Sequence, residues 1–175
     1  KEERASFKLI TPAPDDKIDL LRSIYPAIPI ELIQLLKKIN GTCGKYKNKN
    51  VRLDFFQKGY ESVEEEVITY EFCTIEEMLE HAESDTSWLD LCLSDDRCNK
   101  EDLIEDEELF SYEINSEAPI RDRLMFAQTS YSNLYIDFNP SESGTVGQII
   151  SYIHDPDIYE VNSDSFLEFL KRNIN

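Results

Sequence analysis

Glycine is scarce, at five in 175 residues. Loops that cradle phosphates are built on glycine clusters, and neither G-x-x-x-x-G-K-[ST] nor G-x-G-x-x-G occurs. Histidine is rarer, with only His81 and His154. Neither has the H-E-x-x-H or Cys/His spacing of a zinc site. His154 precedes Asp155, but a base and its orienter are recognised by geometry, so a surface turn before Pro156 is expected. His81 has Glu77 at helical i,i+4 spacing, a sufficient reason for both. The cysteines Cys43, Cys73, Cys92 and Cys98 show no C-x-x-C pair and are too few to staple the chain. They read as free thiols of a cytoplasmic protein, with no metal and no cofactor. No apolar run is long enough for a bilayer. Nothing resembles a signal peptide, and the chain opens on Lys1 rather than Met. The acids at 101–108 lack the alternation and the glycine of an EF-hand. No catalytic residue emerges, and the chain reads as a non-enzyme.

Positive charge is nearly missing from one stretch. The net charge is −18. Residues 1–60 carry net +5, residues 61–117 net −19 with two bases, and residues 118–175 net −4. Such a field repels nucleic acid and attracts cationic partners. The candidate partner-binding residues are therefore the acids of this stretch: Asp90, Asp95, Asp96, Glu101, Asp102, Glu105, Asp106, Glu107 and Glu108. The bland alternative is a solvated acidic face.

What is present suits one domain over 1–175, with a polar lead-in at 1–14 and the acidic segment 84–117 inside it. Hydrophobic residues make up 41% and aromatics 11%, enough for a core. Ile18, Leu21 and Tyr25 have helical spacing, with Asp15 or Asp16 placed to cap. Pro29 suits a first helical turn. Leu32, Leu35, Leu36 and Ile39 then form one helix face that Asn40 and Gly41 stop. A basic loop (Lys45, Lys47, Lys49, Arg52) leads to strands at 51–56 and 67–72, joined by a hairpin connection at 57–65. Thr74 and Glu77 make a capping box for a helix with Ile75, Met78, Leu79 and Ala82 on one face. A short helix is expected at 88–93.

At 134–138, Leu134, Ile136 and Phe138 alternate with Tyr135 and Asp137, the pattern of a sheet with one buried face. Asn139, Pro140, Ser141, Ser143 and Gly144 supply turn chemistry before a return strand from Gly147 and Gln148. Ser163 or Asp164 can cap a closing helix carrying Phe166, Phe169 and Leu170. Short connections imply antiparallel neighbours. The fold class is α+β: a single, mostly antiparallel sheet with helices packed on it. Tyr131, Tyr135, Tyr152 and Tyr159 lie in or beside strands, as packing or as interface anchors.

The ordered set lDl-p, G..GqVi.y and sF.efL, filled between Asn133 and Phe169, resembles the C-terminal signature of the SUKH superfamily. Pro29, Leu36, Asn40 and Gly41 resemble its N-terminal pattern, with Thr42 where a second glycine is usual. The loop 128–133 has no glycine, and its strand is led by Arg123, two further departures. The superfamily includes fungal cell-wall regulators of the Smi-Knr type and bacterial toxin-immunity proteins. The resemblance implies a non-catalytic protein-binding module. The expected partner is a basic toxin domain, a nuclease for preference, whose phosphate-binding surface an acidic face would cover. The alternative is a regulatory adaptor like the fungal regulators of glucan synthesis.

Overall fold

The first helices among the described residues are two short ones, α1 (Asp15–Ile24) and α2 (Ile30–Leu36). The structure, a computed structural model, describes residues 11–42, 53–58, 65–93, 109–154 and 157–173, with backbone alone for 53–58 and 65–69. Ile18, Leu21 and Tyr25 are buried as their spacing requires. Neither Asp15 nor Asp16 caps α1. Pro14 holds the N-cap position, and the two acids stand in the first turn, where negative charge suits the helix dipole. Pro29 is likewise the N-cap of α2 and not part of its first turn. Leu32 and Leu36 are fully buried, while Leu35 and Ile39 pack on the core from its margin.

The Asn-Gly pair does more than end a helix. Gly41 has φ 75°, and a Cβ there would come within 2.7 Å of Thr74. Asn40 Oδ1 accepts a 2.8 Å hydrogen bond from the Ile75 amide. That amide opens α3 (Ile75–His81), whose Thr74–Glu77 capping box is formed as expected. Asn40 thus serves the N-terminus of a helix 35 residues further on. Thr42 also has a task that glycine could not perform. Its amide donates to Phe72 O and its hydroxyl accepts from Phe72 N, both at 2.7 Å.

Six strands follow one another as an antiparallel meander: β1 (Leu53–Lys58), β2 (Glu65–Phe72), β3 (Arg123–Gln128), β4 (Ser132–Asp137), β5 (Gln148–Ile153) and β6 (Ile158–Ser163). β1 and β2 run further than 51–56 and 67–72, and their register sets Lys58 opposite Glu65. The basic loop at 45–52 and the hairpin tip at 59–64 lie outside the described residues. β2 meets β3 over only two residue pairs, so the first hairpin joins the other four strands by a short seam. β4 and β5 pair from Ser132↔Ile153 to Asp137↔Gln148, as their alternation predicts.

Pairing rows separate the two faces. Leu124, Ile136 and Ile149 form a row on the helical face. α5 (Phe166–Asn173) lies on this side, where Phe166 and Phe169 meet Phe126 edge-on at 5.2 and 5.7 Å. Its cap is Ser165, whose hydroxyl accepts from the Glu168 amide, and not Ser163 or Asp164. Ser163 instead turns its hydroxyl onto Ser165 O. The opposite face was expected to meet solvent. It is buried too: Tyr135 is 7% exposed and Asp137 0%. A fourth helix, α4 (Trp88–Cys92), and residues 109–119 cover it.

Two outcomes follow. Gly41→Ala should destabilise the fold by about 1–3 kcal/mol, from a strained φ with no room for Cβ, read as a lower urea midpoint. The second concerns Glu76. Burial acts to raise its pKa, but hydrogen bonds from Lys17 and Asn40 outweigh this and hold it below the usual value. A lowered carboxylate stabilises above its unfolded pKa and loses that contribution as pH falls through the folded one. Glu76→Gln should therefore be less stable than the parent at pH 7 by no more than about 1 kcal/mol. The gap should close below pH ~4, as urea titrations at several pH values would show.

Candidate partner-binding face

The back face is organised by a charge with no access to water. Arg123, at the head of β3, is 0% exposed, and so is Asp137 opposite it. Arg123 Nε lies 3.6 Å from Asp137 Oδ1, within ion-pair range but beyond a hydrogen bond. The Nη atoms donate to Ala118 O, at 3.0 Å, and to Asn115 O. The guanidinium carbon sits 4.0 Å over the Trp88 ring. Burial pushes Asp137 above the usual carboxylate range and Arg123 below its own, and each partner opposes the shift of the other.

The signature residues complete this polar knot. Gln148 Nε2 donates to Asp137 Oδ2 and to Glu113 O, both at 3.1 Å, while its Oε1 accepts from the Thr145 amide. Asp137 Oδ1 also accepts from the Asn139 amide. Gly147, at φ 92°, donates its amide to Asp137 O. Gly144 is a matter of space, since a Cβ would stand 2.3 Å from Glu113 O. Ser141 ties the same turn to Tyr112 O and Glu113 O. Gln148, Ser141 and the close approach at Gly144 hold residues 112–113 against the sheet, Arg123 holds the carbonyls of 115 and 118, and Asp137 and Gly147 fix the strand ends from which these groups reach.

An aromatic stack continues from the knot. Trp88 meets Tyr135 edge-on at 5.2 Å and Tyr159 at 4.4 Å. Tyr159 stacks on Phe110 at 4.8 Å and on Tyr152 at 4.7 Å. Residues 109–111 run along β6: Tyr159 N donates to Leu109 O, and Ser111 N to Tyr159 O. They cover the outer edge of β6. Of the four strand tyrosines, Tyr135 and Tyr159 are packing, Tyr152 is half-buried and Tyr131 is 46% exposed. Tyr112, not singled out from sequence, is 73% exposed.

Among the candidate acids, only Asp90 lies within the described residues. It is exposed, and its carboxylate accepts from the Ser87 amide in a second capping box, which holds the start of α4. Asp95, Asp96, Glu101, Asp102, Glu105, Asp106, Glu107 and Glu108 lie outside. Both flanks of their segment are placed. It leaves the end of α4 and returns at Leu109 and Phe110, on the same face and into the same stack.

The chemistry elsewhere is sparse. His81 is exposed at the end of α3. His154 Nδ1 lies 2.8 Å from Asp157 Oδ1, which accepts from Tyr152 OH at 2.6 Å. The acid partner of His154 in the described residues is thus Asp157, while Asp155 lies outside them. Burial would raise Asp157, but these two hydrogen bonds leave it low. Burial and Asp157 push the Tyr152 phenol up, away from ionisation. Cys73 and Cys92 are free thiols, and Cys43 and Cys98 lie outside the described residues. No group of three or more His, Cys, Asp or Glu side chains converges as a metal site among the described residues. No helix among them is long and apolar enough to cross a membrane. At the far end of the sheet, a cleft of about 380 Å³ opens between α1 and the β4–β5 connection, with Tyr25, Phe138 and Asp122 in its lining.

An antiparallel meander with helices on one face and a clasped, polar-knotted cover on the other is an α+β domain in which the signature residues serve as joints. The chain belongs to the SMI1 / KNR4 family (SUKH-1), whose model matches residues 12–172. Among curated proteins, none matches this chain.

Arg123→Ala should destabilise by about 3–5 kcal/mol, because it strands a buried carboxylate. In Arg123→Ala with Asp137→Asn, the loss should be smaller than the sum of the single losses, since the uncompensated charge is gone. Urea denaturation of the four proteins closes that cycle.

Proposed function

We propose that this chain is an immunity protein: a non-catalytic module that binds a basic toxin domain, a nuclease for preference, and covers its phosphate-binding surface. Membership of the SMI1 / KNR4 family supports an immunity protein or a regulator-like module. The single observation that carries the choice is the charge partition: residues 61–117 hold net −19 of a total of −18. The flanks of the acidic segment support it further. Both rest on one rigid face, so the acids have a fixed base from which to meet a cationic surface. Charge would set the encounter rate, and apolar anchors nearby would set the lifetime of the complex.

The contact residues in this reading are Asp95, Asp96, Glu101, Asp102, Glu105, Asp106, Glu107 and Glu108, with Asp90 at the rim. Reversing Glu105, Asp106, Glu107 and Glu108 to Lys should slow association with the cognate toxin domain by about tenfold or more at low salt. It should also flatten the dependence of rate on ionic strength. Folding should survive, since exposed charges contribute only about 0–1 kcal/mol each. Asp90 is left in place because it caps α4. Stopped-flow association at several salt concentrations is the measurement, and equal rates at low salt would sink the assignment.

A further inference from the structure

We propose that the cleft between α1 and the β4–β5 connection receives an arginine side chain of a partner protein. Its walls are apolar and open: Ile24 is 42% exposed and Val146 59%. Its aromatic lining is Phe138, stacked on Tyr25 at 4.9 Å. Tyr25 is locked in place, its hydroxyl donating to Arg121 O at 2.7 Å. One carboxylate lines the cleft. Asp122 Oδ2 accepts a 2.7 Å hydrogen bond from Asn139 Nδ2. Among the described residues, no Lys, Arg or His stands within ion-pair distance of Asp122. The two neighbouring arginines make their ion pairs elsewhere, Arg121 with Asp85 and Arg123 with Asp137, although the Arg123 charge is also felt by Asp122.

An apolar slot, a partly exposed aromatic ring and a carboxylate with no ion-pair partner among the described residues call for one chemistry. The ligand needs an aliphatic stem, a planar face and a positive head with several donors. Arginine has all three, and lysine lacks the plane. A volume of about 380 Å³ admits one long side chain with its flanking backbone. The net charge of −18, although concentrated in residues 61–117, draws cationic partners toward the molecule. This inference rests on the chain being a protein-binding module, but not on the acidic segment being the contact.

The test uses the full chain, methyl-labelled at Ile and Val, and three probes: Ac-Leu-Arg-Leu-NH2 and its citrulline and lysine counterparts. NMR titration should give saturable shifts at the Ile24 and Val146 methyls with the arginine peptide. The citrulline peptide, equal in shape but uncharged, should bind at least tenfold more weakly, and the lysine peptide should fall between. Asp122→Asn, which keeps an acceptor for Asn139, should erase the advantage of arginine. Val146→Lys, on an exposed rim, should abolish binding at the cleft whatever becomes of Asp122→Asn. Equal affinity for arginine and citrulline, or for arginine and lysine, overturns the assignment. So does the absence of saturable shifts at these two methyls, or an Asp122→Asn protein that keeps the preference. Failure of the nuclease-toxin reading appears in association kinetics and leaves this titration unchanged.

Discussion

Arg123 is the constraint on which the back face depends. A guanidinium removed from water carries a desolvation cost of several kcal/mol, and only dense local pairing offsets it. Here the pairing comes from three separate stretches: Asp137 on the neighbouring strand, two carbonyls at 115 and 118, and the Trp88 ring. Each stretch is brought from its own part of the chain, so the charge acts as a registration peg. A slip of β3 against β4 by one residue would turn Arg123 onto the helical face beside Ile136 and Ile149, and would carry Leu124 and Phe126 to the back face. Arg123 would then lose Asp137 and both carbonyls, which excludes the slip by several kcal/mol.

The parts of the fold legible in sequence are those with local causes. The helix faces followed from i, i+3, i+4 spacing, and the Thr74–Glu77 cap from its motif. The β4–β5 hairpin followed from period-two alternation around Pro140 and Gly144. Errors of one or two positions fell on the caps, where Pro14 and Ser165 replace the expected residues. Cap geometry depends on which φ/ψ values the approach of the chain allows, and composition does not encode that. The larger miss was the second buried face. Tyr135 and Asp137 look like solvent residues within their strand, and the elements that bury them lie up to 50 residues away. Periodicity within a strand carries no information about a cover supplied from elsewhere. One signal was present: an arginine heading a strand needs a carboxylate, and Asp137 stands in the signature.

Less of the candidate site was legible, and for a different reason. Counting charge locates a field and not a surface. The count singled out 61–117, yet the one candidate acid within the described residues, Asp90, is bound up in holding its own helix. What the structure adds is the mounting. Trp88 before the segment and Phe110 after it both stack on Tyr159. Trp88 and Phe110 are both buried, so the two flanks of the segment are held side by side whatever the acids between them do.

A division of labour follows from the joints. Asn40 and Gly41 lock α2 to α3, Gln148 and Gly144 lock Glu113 to the sheet, and Asp137 and Gly147 hold the β4–β5 turn that carries them. All of these side chains and glycines are committed to contacts within the chain. The residues that carry the family resemblance therefore specify how the domain is assembled, and a partner finds little of them to touch. The two places proposed above for recognition, the segment that runs between Trp88 and Phe110 and the cleft that holds Asp122, use none of those joints. Such a separation lets a scaffold be kept while a recognition surface changes. Substitutions at a recognition surface can then change the partner without breaking the joints that hold the surface in place.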